Sequence, residues 1–140
     1  MLLSLLLLNL EAAGPDTIPD AFTFTDQTDV AVSSTITSAA ITVAGIDSAA
    51  TITVTGGEYD INASGTFVSS SGTVDNGDTV RARHTSSASY LTAVNTVVTI
   101  GGVSDTFTST TTASLGESTL TPTPRRRHAL PRRIRRHVRA

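Results

Sequence analysis

Four aspartates, Asp16, Asp20, Asp26 and Asp29, lie close together in the early part of the chain. Hard Ca²⁺ takes about six to eight oxygen ligands, and carboxylates, carbonyls and hydroxyls supply them. This group is therefore the candidate metal site, with calcium as the candidate cofactor. The competing reading is that each carboxylate caps its own turn and keeps the loop solvated, which also fits Asp75, Asp78 and Asp105. No D-x-D-x-D-G loop is present, and cysteine is absent, so no thiolate can serve as nucleophile or zinc ligand.

His84 invites comparison with a Ser-His-Asp arrangement. With 16 Ser in the chain, chance proximity is unspecific, and no G-x-S-x-G elbow occurs. His84 reads instead as an exposed or rim residue of a strand. No catalytic set is assigned, and the chain is read as a non-enzyme.

Arg81 and Arg83 share one face of an alternating segment. They can pair across strands with Glu58 or Asp60, or offer cations to a sugar carboxylate; the pairing is the simpler outcome. Tyr59 and Tyr90, beside Ile61 and Leu91, either stack on a glycan or take core and corner positions. Asn62-Ala63-Ser64 fits the N-x-S acceptor pattern, a tripeptide common by chance.

The elements that must position these residues are strands. Between Phe22 and Thr112 apolar and hydroxyl residues alternate: Phe22-Thr23-Phe24-Thr25, Ile41-Thr42-Val43, Thr51-Ile52-Thr53-Val54-Thr55, Thr106-Phe107-Thr108. A period of two sends successive side chains to opposite sheet faces, so Ile and Val pack inward while Thr faces water. Strands are expected at 21–25, 29–33, 35–38, 40–46 (one bent strand with 35–38, or a second), 51–55, 58–64, 66–68, 79–85, 96–100 and 103–110. A hairpin is expected about Asn62 to Gly65. Gly56-Gly57, Asn76-Gly77 and Gly101-Gly102 mark reversals, the last joining the clearest antiparallel pair. Ser86 to Asn95 is a long loop. Seven or eight short strands without helical periodicity predict an all-β, antiparallel two-sheet sandwich, with a small open barrel as the other architecture. Its core draws on Val, Ile, Ala and the rings of Phe22, Phe24, Tyr59, Phe67, Tyr90 and Phe107, since Trp is absent.

Composition divides the chain. Thr and Ser fill 41 of 140 positions, and Lys is absent. A surface of hydroxyls is common among secreted and cell-surface β-modules, which argues against a cytosolic enzyme. Eight of the ten Arg lie at 125–139 and all twelve acids at or before Glu117, so residues 1–124 carry −10 and the remainder +8. Residues 1–14 form an apolar leader or the remnant of an upstream segment. The Leu run is too short to span a bilayer, and as a secretory signal it lacks a basic start. Residues 15–20 form a Pro-Asp linker, 21–112 the sandwich, 113–124 a Pro/Ser/Thr linker and 125–140 an Arg-rich tail expected to be disordered. The tail lacks interleaved aromatics for base stacking, and Pro131 breaks any continuous helix, so it is a poor basis for nucleic-acid binding.

The blocks DTIPDAFTFTDQTDVAVSSTITSAAITVAGI, GGEYDIN, NGDTVRARHTSSASY and TIGGVSDTFTST resemble a repeat of large bacterial surface and secreted proteins, in which immunoglobulin-like β-sandwich modules follow one another along an extended chain. The match covers roughly Asp16 to Thr112. It departs from the antibody type in lacking a Cys pair and a core Trp. The resemblance implies an immunoglobulin-like sandwich, an extracellular or cell-surface location, and a structural or adhesive role without catalysis. Neighbouring like modules are the expected partners. The alternative is an adhesive binding module for a glycan or host protein, acting through loops at 86–95 and 47–50.

Overall fold

The computed structural model describes residues 13–115. The leader up to residue 12, the linker from residue 116 and the Arg-rich tail lie outside the described residues. Within them the chain forms nine strands: β1 Gln27–Val30, β2 Thr35–Thr37, β3 Ile41–Thr42, β4 Ala50–Thr55, β5 Glu58–Ile61, β6 Gly72–Val74, β7 Thr79–Thr85, β8 Ala93–Ile100 and β9 Val103–Thr111. They make two sheets, a five-stranded one in the order β1-β9-β8-β4-β6 and a four-stranded one in which β7 is flanked by β2 and β3 on one edge and β5 on the other. Among the described residues no helix is long and apolar enough to cross a membrane.

The alternating pattern explains the core. Ile52 of β4, Val80 and Ala82 of β7, Val98 and Ile100 of β8 and Phe107 of β9 are fully buried, with Phe24, Ile41, Val43, Tyr59 and Val74 packed around them. Burial of each large aliphatic or aromatic side chain contributes about 1.5–3 kcal/mol. Val54 is only partly buried against this cluster. Two of the expected core rings are elsewhere: Phe67 is half-buried under Arg83, and Tyr90 is exposed.

The β8–β9 hairpin forms as the pattern requires, with Ile100 opposite Val103 and positive φ at both Gly101 (53°) and Gly102 (91°). Asn76-Gly77 also turns the chain, but it carries it from one sheet to the other: β6 pairs with β4, and β7 with the opposite layer. The expected strands at 35–38 and 40–46 are one line along the edge of β7. At its kink the Ser38 N–H donates to the Ala82 carbonyl (2.8 Å) while Ser38 Oγ accepts from the Ala82 N–H (2.9 Å).

The first strand corrects the expectation of a purely antiparallel sandwich. Residues 21–25 join no ladder and do not form a hairpin with 29–33. The strand is β1, and it runs parallel to β9, with Gln27 opposite Ser109 and Val30 opposite Thr111. Aspartate side chains intervene where a backbone ladder would otherwise extend: Phe24 N–H donates to Asp105 Oδ2 (2.7 Å), and Thr108 N–H to Asp26 Oδ1 (2.8 Å). Residues 15–20, expected to be a linker, are laid on the domain. Pro19 is buried, Asp20 N–H donates to the Ala44 carbonyl (2.8 Å), and any side chain at Gly101 would collide with the Thr17 carbonyl oxygen.

The sandwich therefore has two distinct ends. At the near pole the chain comes in beside Gly101, Asp47 and the 75–78 turn. It then follows β9 for that strand's whole length, about 30 Å at 3.3 Å per residue. At the far pole, beside the 86–92 loop and the Gly56-Gly57 reversal, it leaves through Thr111 and Thr112.

Candidate functional site

Charged side chains gather on the outer face of the four-stranded sheet. Because Val80, Ala82 and His84 point inward from β7, Arg81 and Arg83 point out, and the register sets Glu58 opposite Arg83 and Asp60 opposite Arg81. Arg83 meets Glu58 Oε2 through Nη2 (2.5 Å) and Nε (3.2 Å). Its guanidinium also lies 3.8 Å from the centroid of the Phe67 ring, with Arg81 at 5.5 Å from the same ring. Phe67 is delivered by the chain after β5, which doubles back so that Tyr59 and Val68 exchange two backbone hydrogen bonds of 2.9 Å. Asn62 and Ala63 turn there at positive φ, in the expected hairpin position.

Asp60 is the buried member of this group, with a relative exposure of 1%. Burial opposes its ionisation, but hydrogen bonds from Ser64, Arg81 and the Gly65 N–H, together with the Arg81 charge, outweigh that and hold its carboxyl below the usual carboxylate range. Both arginines are thus matched to the acids that cross-strand spacing suggested. The sugar-carboxylate reading loses its unpaired cation. Beside this face, toward the far pole, opens a cleft of about 490 Å³ lined by Thr35, Gly56, Gly57, Glu58, Arg83, His84 and Thr85. It offers hydroxyls and an ion pair already satisfied.

His84 is not a rim residue. It is 6% exposed and bridges the two sheets, with Nδ1 2.7 Å from Thr96 Oγ1 and Nε2 2.6 Å from Ser109 Oγ. The Thr96 hydroxyl donates to the Gly56 carbonyl (3.1 Å), so it accepts from Nδ1–H, and the neutral ring accepts the Ser109 proton at Nε2. A Ser-His contact of this kind can activate a nucleophile, yet Ser109 and Thr96 have no exposed surface, so no substrate reaches the hydroxyl. The arrangement is a satisfied polar strut.

Burial lowers the His84 pKa below 6.5, and this gives a pH prediction. Above that value both the folded and unfolded chain hold the ring neutral. As pH falls through 6.5 the unfolded chain takes up a proton that the folded chain refuses, so stability declines until folded His84 is itself protonated. Urea midpoints between pH 7.5 and 5.5 should fall for the natural chain and stay nearly level for His84→Gln. A level natural chain would contradict the buried neutral ring.

The four candidate calcium ligands are not brought together. Asp16 caps locally, accepting from Ile18 N–H (3.0 Å), while its own N–H donates to Asp47 Oδ1 (2.6 Å). Asp20 lies against Gly45, and Asp26 serves Thr108 of β9. Asp29, at φ 56°, sits where the β1 register shifts, near the far pole. Among the described residues no three His, Asp or Glu side chains group so as to hold a metal ion. Asp26 and Asp29 lie along β9 while Asp16 and Asp20 stand beside Asp47 and Gly45, and turn capping explains Asp16, Asp75 and Asp78: Asp75 N–H donates to Asp78 Oδ2 (2.9 Å).

Tyr59 is a core residue, and burial raises its hydroxyl pKa. Asn62 is committed internally, donating to Asp78 Oδ1 (2.7 Å) and accepting from Thr79 N–H (2.9 Å). The 86–95 segment divides into a loop and the start of β8, and it lies at the far pole while 47–50 lies at the near pole, so the two cannot form one binding surface. The loop does present Tyr90 (49% exposed) and Leu91 (72%) to solvent. Leu91 has φ 50°, a left-handed conformation that the sequence pattern did not foretell. Compared with protein-family models, curated proteins and solved structures, the chain matches none of them.

Proposed function

We propose that this chain is a non-catalytic structural module, an immunoglobulin-like sandwich that serves as a spacer in a bacterial cell-surface or secreted protein. The observation that carries the reading is the pole-to-pole course of the chain: β1 and β9 are parallel, so the polypeptide comes in at one end and leaves at the other. A module built this way adds its full strand length to a string of like modules, whereas one with adjacent ends would fold the string back. Load applied along such a string acts in shear on the β1–β9 hydrogen bonds, all of which must yield together. The hydroxyl-rich, Lys-free composition and the resemblance to bacterial repeat modules support the extracellular setting.

Two copies of the full chain joined in tandem test this by small-angle scattering. The maximum dimension should grow by about 30 Å or more over the single chain, the length of a nine-residue strand. A tandem no longer than one copy would refute the spacer reading.

A second reading, an adhesive module for a glycan or host protein, is favoured by one feature, the exposed Tyr90-Leu91 pair. The surrounding Ser86, Ser87, Ala88 and Ser89 give that loop little else to bind with.

A further inference from the structure

All of the large apolar side chains that stand exposed among the described residues are at the poles. Tyr90, Leu91 and Leu115 (96% exposed) are at the far pole, and Ile18 (64%) is at the near pole. The far-pole pair is held out by a rigid frame. Leu91 N–H donates to the Thr112 carbonyl (3.2 Å), Thr92 N–H to Thr111 Oγ1 (2.9 Å), and Thr111 Oγ1 to the Ser89 carbonyl (2.7 Å). This frame keeps Leu91 left-handed, a conformation unfavourable for any residue with a Cβ. Strain that exposes an apolar side chain has no return within the single domain.

We propose that the far pole of one copy docks on the near pole of a second copy, Tyr90, Leu91 and Leu115 covering Ile18. The chain's course places the two surfaces face to face whenever copies follow one another. Charge is complementary as well. The near pole carries four exposed acids, Asp16, Asp20, Asp47 and Asp75, against Asp29 near the far pole, and the sequence beyond the far pole runs on to eight Arg at 125–139. Contact between unlike surfaces does not close on itself, so free copies assemble into open-ended rows. The role of this contact rests on the spacer reading, but its existence is tested on the full single chain and is independent of the tandem measurement.

The test is sedimentation of the full chain from micromolar to millimolar concentration. The average mass should rise past that of a dimer without a plateau. Ile18→Ser and Leu91→Ser should each weaken association about tenfold or more, with unchanged thermal melts. Mixed together they should form dimers that stop there, because the mixture retains one intact far pole and one intact near pole. Leu91→Gly, which relieves the left-handed strain, should raise the melting midpoint and still lose association. A chain that stays monomeric at millimolar concentration, a dimer that does not grow, or a mixture that stays monomeric would overturn the proposal. So would association that survives both serine substitutions and vanishes in high salt, which would assign it to the Arg-rich segment alone.

Discussion

Phe107→Ala is expected to destabilise the domain by about 3–5 kcal/mol, measured by urea denaturation at pH 7.5. Phe107 has no exposed surface, and its ring centroid lies 6.5 Å from that of Phe24 and 5.0 Å from that of His84. It therefore lies against both the strand-free amino-terminal segment and the opposite sheet. Its two ring neighbours are held in place, His84 by Thr96 and Ser109 and the Phe24 backbone by Asp105, so the space should stay largely open. A domain of this size has a total stability of about 5–15 kcal/mol, of which this loss is a large share. The cavity would also wet His84, so the variant's stability should depend less on pH than the natural chain's. Phe107→Leu, which keeps most of the volume, should cost clearly less. A loss below about 1 kcal/mol for the alanine variant would mean that the two sheets are not held together at this point.

The period-two pattern made most of the ladder legible. The reversal at Gly101-Gly102, the common face of Arg81 and Arg83 and the choice of Glu58 and Asp60 as their acids follow from counting along strands, while the β5–β7 register decides which acid meets which arginine. The same count places His84 inward, two steps from Ala82 and four from Val80. The residue type, a polar ring among hydroxyls, suggested the surface, and its partners Thr96 and Ser109 lie on strands far away in sequence. The parallel β1–β9 pair was not legible. Phe22-Thr23-Phe24-Thr25 alternates as well as any strand, and Phe24 is buried as the alternation requires. Its ladder is displaced by the side chains of Asp26 and Asp105, a tertiary event that local pattern does not encode. Nor does any letter announce that Leu91 adopts a positive φ, since Gly and Asn are the usual signals for that conformation.

Removing Arg81 should cost more than its half-exposed position suggests. The Arg81 side chain is 29% exposed, whereas that of its partner Asp60 is wholly buried. Arg81→Met would therefore strand a carboxylate without its cation, and truncating one member of a buried pair typically costs about 3–5 kcal/mol. Asp60→Asn is expected to cost less, because the guanidinium left behind can turn toward water. The order of the two single variants is thus set by burial and not by the pair they share. The effect should also depend on pH in a fixed direction. In the natural chain Asp60 is held below its ordinary 3.8, so its contribution is complete at neutral pH and is lost as pH falls below that value. Without Arg81 the burial that opposes ionisation has less to offset it. The carboxyl then titrates higher, and the penalty of Arg81→Met shrinks as acid protonates it. Arg81 Nε is itself buried without a hydrogen-bond partner, so the natural pair is not an ideal one. The double variant Arg81→Met with Asp60→Leu should accordingly be more stable than Arg81→Met alone, since apolar replacement of both members removes the stranded charge. Urea denaturation of the three variants at pH 7 and again near pH 4 separates these outcomes; equal losses for Arg81→Met and Asp60→Asn at pH 7 would show that Asp60 is not buried as a charge.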